Sequence, residues 1–204
     1  KFTMAFLYDL LGATQEGRVQ PRGFMEIDID AVILGSTNEP EYKKLMKDET
    51  MEALRDRTII VKVPYILKLS DEIKIYTKFF TPKKRGGKHM APRTLYLASY
   101  WSVLTRLAKS AKSGLDLRDK LKLYDGRTVP GFNEDSIREL MLEEGANNEG
   151  YFGASPRYVH DKISAAFTNP DGKACINFFG VMRELKEGLK THAHIKSTEE
   201  RENF

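Results

Sequence analysis

The stretch Ala31-Val32-Ile33-Leu34-Gly35-Ser36-Thr37-Asn38-Glu39-Pro40 decides the reading of the fold. Its apolar run, rich in β-branched side chains and closed by a glycine, predicts a short strand buried on both faces. Ser36 to Pro40 then predicts a polar loop at the strand's carboxyl end, and residues 41–54 predict a polar helix. Upstream, Phe2, Phe6, Leu7, Leu10 and Leu11 recur at helical spacing, so the chain opens on an amphipathic helix that stops near Gly12 or Gly17. Arg18 to Phe24 predicts a hairpin with Pro21-Arg22-Gly23 at its turn. Downstream, Thr58-Ile59-Ile60-Val61-Lys62-Val63-Pro64-Tyr65 predicts the second core strand. Two core strands and a hairpin make a marginal sheet alone, so this reading expects further strands upstream of Lys1.

Beyond Tyr65 the pattern turns helical. Ser70, followed by Asp71 and Glu72, predicts a helix N-cap and a helix to about Phe80. A basic loop spans residues 81–89, and Pro92 opens a longer helix to about Lys112 that carries Leu95, Ala98, Trp101, Leu104 and Leu107. Further helices are predicted over 115–124, 134–144 (capped by Asn133), 156–167 and 176–189. Turns fall at Asp125-Gly126 and Asn169-Pro170-Asp171-Gly172.

Composition narrows the function classes. The 204 residues are 41% hydrophobic and 10% aromatic, enough for a core. No apolar run approaches the roughly 18–20 residues of a membrane span. A single cysteine, Cys175, excludes an internal disulfide and a thiolate-only zinc site, and fits a reducing, cytoplasmic compartment. The net charge of +4 conceals an asymmetry: residues 68–130 hold 15 Lys/Arg against 5 Asp/Glu, and the remainder is acidic. Such a run is either a solvated face or a surface for phosphates and nucleic acid.

The standard nucleotide motifs are missing. Gly87-Lys88 is followed by His89 with Pro82 at the first-glycine position, and Gly172-Lys173 is followed by Ala174 with Phe167 there, so neither is a P-loop. There is no H-R-D loop and no D-F-G. What remains is an order of parts. A helix leads to a hairpin, then to a strand ending in Asn38, then to a helix ending Leu54-Arg55-Asp56-Arg57 before a strand. A helical region follows, with Ser155-Pro156-Arg157 at a helix start. This order resembles the second half of an AAA+ ATPase module.

Ala13-Thr14-Gln15-Glu16-Gly17-Arg18-Val19, Asn38-Glu39-Pro40-Glu41-Tyr42, Arg55-Asp56-Arg57-Thr58, Lys120-Leu121-Lys122-Leu123-Tyr124-Asp125-Gly126 and Ser155-Pro156-Arg157-Tyr158 together resemble, in the same order, the bacterial PrkA-type serine protein kinases. The resemblance covers about Leu10 to His194. It implies an α/β remnant of an AAA+ core with few strands, followed by a mainly helical lid, predominantly α by content. Residues 1–69 would be the carboxyl-terminal half of the core, 70–172 the lid, and 173–204 a connector toward a further domain to which the kinase activity belongs. The Walker A and B half would lie upstream. ATP and Mg²⁺ are the implied cofactors, and a homo-oligomer acting on a protein substrate the implied assembly. Nucleic acid and membrane are not expected partners.

By the same resemblance, Asn38 is the sensor 1 candidate that orients the attacking water. Its alternative is a turn asparagine bonded to local backbone. Arg57 is the candidate arginine finger reaching a neighbouring subunit, with Arg55 as the alternate; otherwise Arg57 pairs with Asp56 or Asp48. Arg157 is the sensor 2 candidate in the lid, or else a solvated surface arginine. Arg18 and Arg22 flank a hairpin that in some AAA+ relatives contacts substrate, and an ordinary basic hairpin is the alternative. His192 and His194 lack a third partner for a metal. Ser164 and Lys162 do not face each other on a helix. Trp101 and Cys175 read as core residues.

Overall fold

The computed structural model describes residues 12–21, 23–109, 115–146, 149–168 and 175–189. The described residues fall into two compact units divided between Lys62 and Val63. The opening helix expected over residues 2–11, Arg22, the turn at 169–172 and the pair His192 and His194 lie outside them.

In the first unit, a short helix α1 (12–16) ends at Gly17 and leads into an antiparallel pair, β1 (Arg18–Val19) and β2 (Ile27–Asp28). Their register sets Arg18 against Asp28 and Val19 against Ile27, and Arg18 Nε bonds Asp28 Oδ1 at 2.9 Å. The expected hairpin is therefore present, closed by a longer loop that includes the bond from Phe24 N–H to the Pro21 carbonyl. Gly17 holds φ +63°, and its carbonyl accepts from Ile29 N–H at 2.6 Å, which fastens the end of α1 to the hairpin.

The two core strands expected at 31–35 and 58–65 do not form: neither segment enters a β-ladder. Val32 is 88% exposed, Leu34 91% and Ile59 91%. A strand exists only through its ladder, and among the described residues no strand pairs with either segment; Tyr65 N–H makes one isolated bond, to the Gly150 carbonyl. The apolar pattern is there, but among the described residues the α/β character shrinks to two pairs of short strands amid predominantly helical structure.

Helix α2 (Glu39–Lys47) starts earlier than the periodicity predicts, and the predicted helix over 41–54 breaks at Asp48 into a 3-10 turn (Glu49–Met51) and the short α3 (Glu52–Arg55). Asn38 caps α2, Pro40 sits in its first turn, and acidic residues at its start and Lys44 and Lys47 at its end complement the helix dipole. The bond from Lys43 to Glu39, at 2.7 Å, holds the Glu39 carboxyl below its ordinary range.

The second unit is built from α4 (Leu69–Phe79), α5 (Thr94–Leu104), α6 (Leu117–Tyr124), α7 (Glu134–Ala146), α8 (Pro156–Thr168) and α9 (Phe178–Leu189). A parallel pair, β3 (His89–Met90) and β4 (Cys175–Ile176), joins the segments before α5 and α9. Two apolar clusters make the core. Tyr76, Ala98, Trp101, Val159, Ile163, Val181 and Leu185 belong to one, and Leu69, Val103, Leu121, Leu123 and Leu140 to the other. Helix α5 contributes Ala98 and Trp101 to the first and Val103 to the second, so it is apolar nearly all round, as a helix between two clusters must be. Trp101 is core, as expected. Cys175 is only half-buried, and its sulfur stands 3.0 Å from His89 Nδ1.

Tertiary contacts move several helix ends. Helix α4 begins at Leu69 with Lys68 as its cap. Ser70 sits inside the first turn, and its N–H donates to Asp125 Oδ1 at 2.8 Å. A distant carboxylate thus fills the role the sequence suggested for the serine hydroxyl. Helix α5 starts two residues after Pro92 because Arg93 takes a left-handed conformation, φ +63°. It ends at Leu104, well short of Lys112, where the 150–154 segment captures the chain. Gly150 N–H donates to the Arg106 carbonyl, and Ala154 N–H to Thr105 Oγ1. Gly153 enables this approach: at φ +87°, a Cβ there would stand 2.3 Å from the Thr105 carbonyl oxygen.

Helices α8 and α9 are linked by the Tyr158 hydroxyl, which donates to the Leu185 carbonyl at 2.7 Å. Burial pushes the Tyr158 phenol up to about 12, so the folded chain keeps a proton that an unfolded tyrosine loses above about pH 10. Between these values the native state binds more protons than the unfolded one, and stability falls as pH rises. Urea midpoints measured from pH 9 to pH 12 are expected to fall in the wild type and to fall less steeply in Tyr158→Phe.

Candidate functional site

The first unit carries three of the four candidates. Asn38 holds extended backbone angles (φ −93°, ψ 162°) at the start of α2, and its Oδ1 accepts from Glu41 N–H at 3.1 Å. This is the local bond the turn reading expects. It engages only the acceptor end of the amide. Among the described residues nothing accepts from the Nδ2 group, which keeps its two donors at an exposed position ahead of a helix N-terminus.

Arg55 and Arg57 sit where α2 and α3 end. Arg55 Nη1 donates to the Met46 carbonyl at 2.5 Å, and Arg57 Nη1 to the Ala53 carbonyl at 2.6 Å. Thr58 Oγ1 donates to the Leu54 carbonyl. The two arginine bonds satisfy carbonyls left open at the helix ends, where positive charge is also favoured by the dipole, while the Leu54 carbonyl also accepts from Arg57 N–H. Arg55 is half-buried in this role, whereas Arg57 is exposed.

Arg57 has a second partner that its own helix does not supply. With the Gln15 amide oxygen facing the guanidinium, the orientation that sets acceptor against donors, Oε1 accepts from Nε at 3.3 Å and from Nη2 at 2.5 Å. A guanidinium has five N–H groups, and these contacts use one on each nitrogen. Among the described residues one N–H is left on each terminal nitrogen, open to phosphate oxygens.

Arg157 belongs to the second unit. It lies in the first turn of α8, next to Pro156, and its side chain is exposed. Among the described residues no hydrogen bond or ion pair engages its guanidinium. Arg18 is exposed and paired with Asp28 and, at 3.7 Å, with Glu26. Ser164 Oγ donates to the His160 carbonyl and serves its own helix. Among the described residues no three His, Cys, Asp or Glu side chains cluster as a metal site.

Two buried charge networks escape a reading by motif. Arg106 and Glu72 are fully buried and pair through two bonds, Nη2 to Oε1 at 2.8 Å and Nη1 to Oε2 at 2.9 Å. Arg106 also donates to the carbonyls of Ala154 and Ile66 and to Ser102 Oγ. Tyr76 donates to Glu72 Oε1 at 2.5 Å, and burial raises its phenol pKa far above the ordinary value. In the second network, Glu149 accepts from Lys120 Nζ and Ala108 N–H on one oxygen and from Tyr124 on the other. For Arg106 the signal was a single charge within the apolar stretch Val103 to Leu107, whereas Lys120 stands among Arg118, Asp119 and Lys122 and nothing local marked it.

The first part of the chain is an AAA-type segment: the family described as the PrkA AAA domain matches residues 1–114. The PrkA serine protein kinase C-terminal domain matches residues 118–204, and the chain belongs to the PrkA family. The chain is 40% identical over 199 residues to the ATP-dependent protease PrkA of Bacillus subtilis strain 168, covering 98% of this chain and 31% of that protein. It is 34% identical over 170 residues to the serine/threonine kinase YeaG of Escherichia coli K12, covering 82% of this chain and 26% of that protein. The chain thus spans less than a third of the length of these relatives. No solved structure matches it. The two family matches meet inside the second compact unit. No helix among the described residues is long and apolar enough to cross a membrane.

Proposed function

We propose that this chain is the sensor-1-to-lid part of an ATP-hydrolysing PrkA module, acting in the cytoplasm as a homo-oligomer that phosphorylates serine on a protein substrate. Bound with Mg²⁺, ATP supplies the phosphoryl group. Asn38 donates from Nδ2 to the attacking water or the terminal phosphate, and Arg157 binds phosphate oxygens from the lid. Arg57 of a neighbouring copy stabilises the charge that develops in the transition state. The fit rests on donor chemistry: each of the three retains N–H groups and offers no competing acceptor at that end. The basic run over 68–130 supports a nucleic-acid surface less than its count suggests, because Arg106 and Lys120 are buried and paired inside it.

The single observation that carries this reading is the division of labour in Asn38, with the acceptor spent on α2 and the donors left over. Asn38→Asp tests it, because aspartate caps a helix as well as asparagine but offers no donor and repels phosphate. In the full-length protein, helicity and melting temperature are expected to stay unchanged while ATP hydrolysis falls about a hundredfold. Unchanged hydrolysis would remove Asn38 from the site. The name of the Bacillus relative favours a second reading, in which turnover drives proteolysis. Phosphoserine or cleaved peptides in a substrate incubated with ATP, read by mass spectrometry, separate the two.

A further inference from the structure

We infer that Gln15 is a positioning residue for Arg57: its side-chain oxygen holds the guanidinium by the Nε and Nη2 edge and presents the two remaining terminal N–H groups outward. The inference rests on the finger role proposed for Arg57 and adds a residue to it. A finger on an exposed side chain faces a large entropy cost, since a free arginine samples many rotamers. Arg57 is anchored at two points on different elements, the Ala53 carbonyl of its own helix α3 and Gln15 of α1. Helix α1 is itself fastened to the hairpin through the bond from Ile29 N–H to the Gly17 carbonyl. Gln15 therefore ties the guanidinium to a second, independently held piece of backbone.

The residue type matters. A carboxylate at position 15 would hold the same edge but would neutralise the charge that a phosphate requires. Glutamine accepts two hydrogen bonds and leaves the positive charge intact. Three donors are used for holding and two are left for the ligand.

The test uses the full-length protein with ¹⁵N-labelled arginine. The Arg57 Nε–H signal, assigned by its loss in Arg57→Lys, is expected to exchange slowly with water in the wild type without nucleotide. In Gln15→Ala exchange is expected to speed at least about tenfold, and kcat for ATP to fall about tenfold to a hundredfold with KM unchanged, since misplacing a group by an ångström costs that much. Gln15→Glu is expected to keep the slow exchange and to give a kcat between the other two. Slow exchange retained in Gln15→Ala, or wild-type kcat in that variant, would overturn the positioning role. Normal hydrolysis in Arg57→Ala would instead remove the finger itself, whatever Gln15 does.

Discussion

Replacing Arg106 with alanine is expected to cost the second unit about 3–5 kcal/mol, read as a lowered urea midpoint. Its guanidinium is fully buried and spends its donors on Glu72, Ser102 and the carbonyls of Ala154 and Ile66. It also lies 5.2 Å from the centre of the Tyr65 ring. Alanine would leave Glu72 as an uncompensated charge in the core, beside the Tyr76 phenol that already donates to it. It would also orphan two carbonyls and open a cavity. Removing both charges is a different experiment. The double variant Arg106→Met and Glu72→Leu keeps volume without a buried ion, and is expected to recover much of the loss. If Arg106→Ala unfolds with the wild-type midpoint, the buried pair does not hold this core.

The second large effect is on activity. In the full-length protein, Arg57→Ala is expected to reduce ATP hydrolysis about a thousandfold or more, the range seen when an arginine finger is withheld. Nucleotide binding should survive, because the proposed finger would serve a site in another copy. A mixing experiment makes this specific. Arg57→Ala subunits, which keep Asn38, should regain hydrolysis when combined with Asn38→Asp subunits, which keep the finger. Mixtures that stay inactive would argue against a role in trans, and normal hydrolysis in Arg57→Ala alone would dismiss the finger. The contacts to Ala53 and Gln15 are made by an exposed side chain, so their loss should move stability by no more than about 1–2 kcal/mol.

What could be read from sequence was local. The hairpin around Pro21 and Gly23, the helices of the second unit, the local backbone bond of Asn38 and the turn at Gly126 each follow from a few neighbouring residues. What was missed depends on partners far along the chain. Residues 31–35 and 58–65 carry a strand pattern, but a ladder needs a second segment that local periodicity cannot provide. Arg106 and Lys120 counted as surface charge until Glu72 and Glu149, 34 and 29 residues away, placed them in the core. Helix α5 stops early because Gly153 brings a distant backbone against Thr105. At the candidate site, Asn38, Arg55, Arg57 and Arg157 could be named from the family resemblance. Gln15 stood in a resembling stretch without a role, and only its meeting with Arg57 supplies one.

The seam between the two family matches has a mechanical meaning. Helices α4 and α5 lie in the AAA match, and α8 and α9 lie in the C-terminal match. Tyr76 and Ala98 from the first pair nevertheless share one cluster with Val159, Val181 and Leu185 from the second. Close-packed interiors transmit displacement with little compression. A turn imposed on α4 and α5 is therefore delivered to α8 and α9 without slack, and this part of the molecule behaves as a crank rather than a joint.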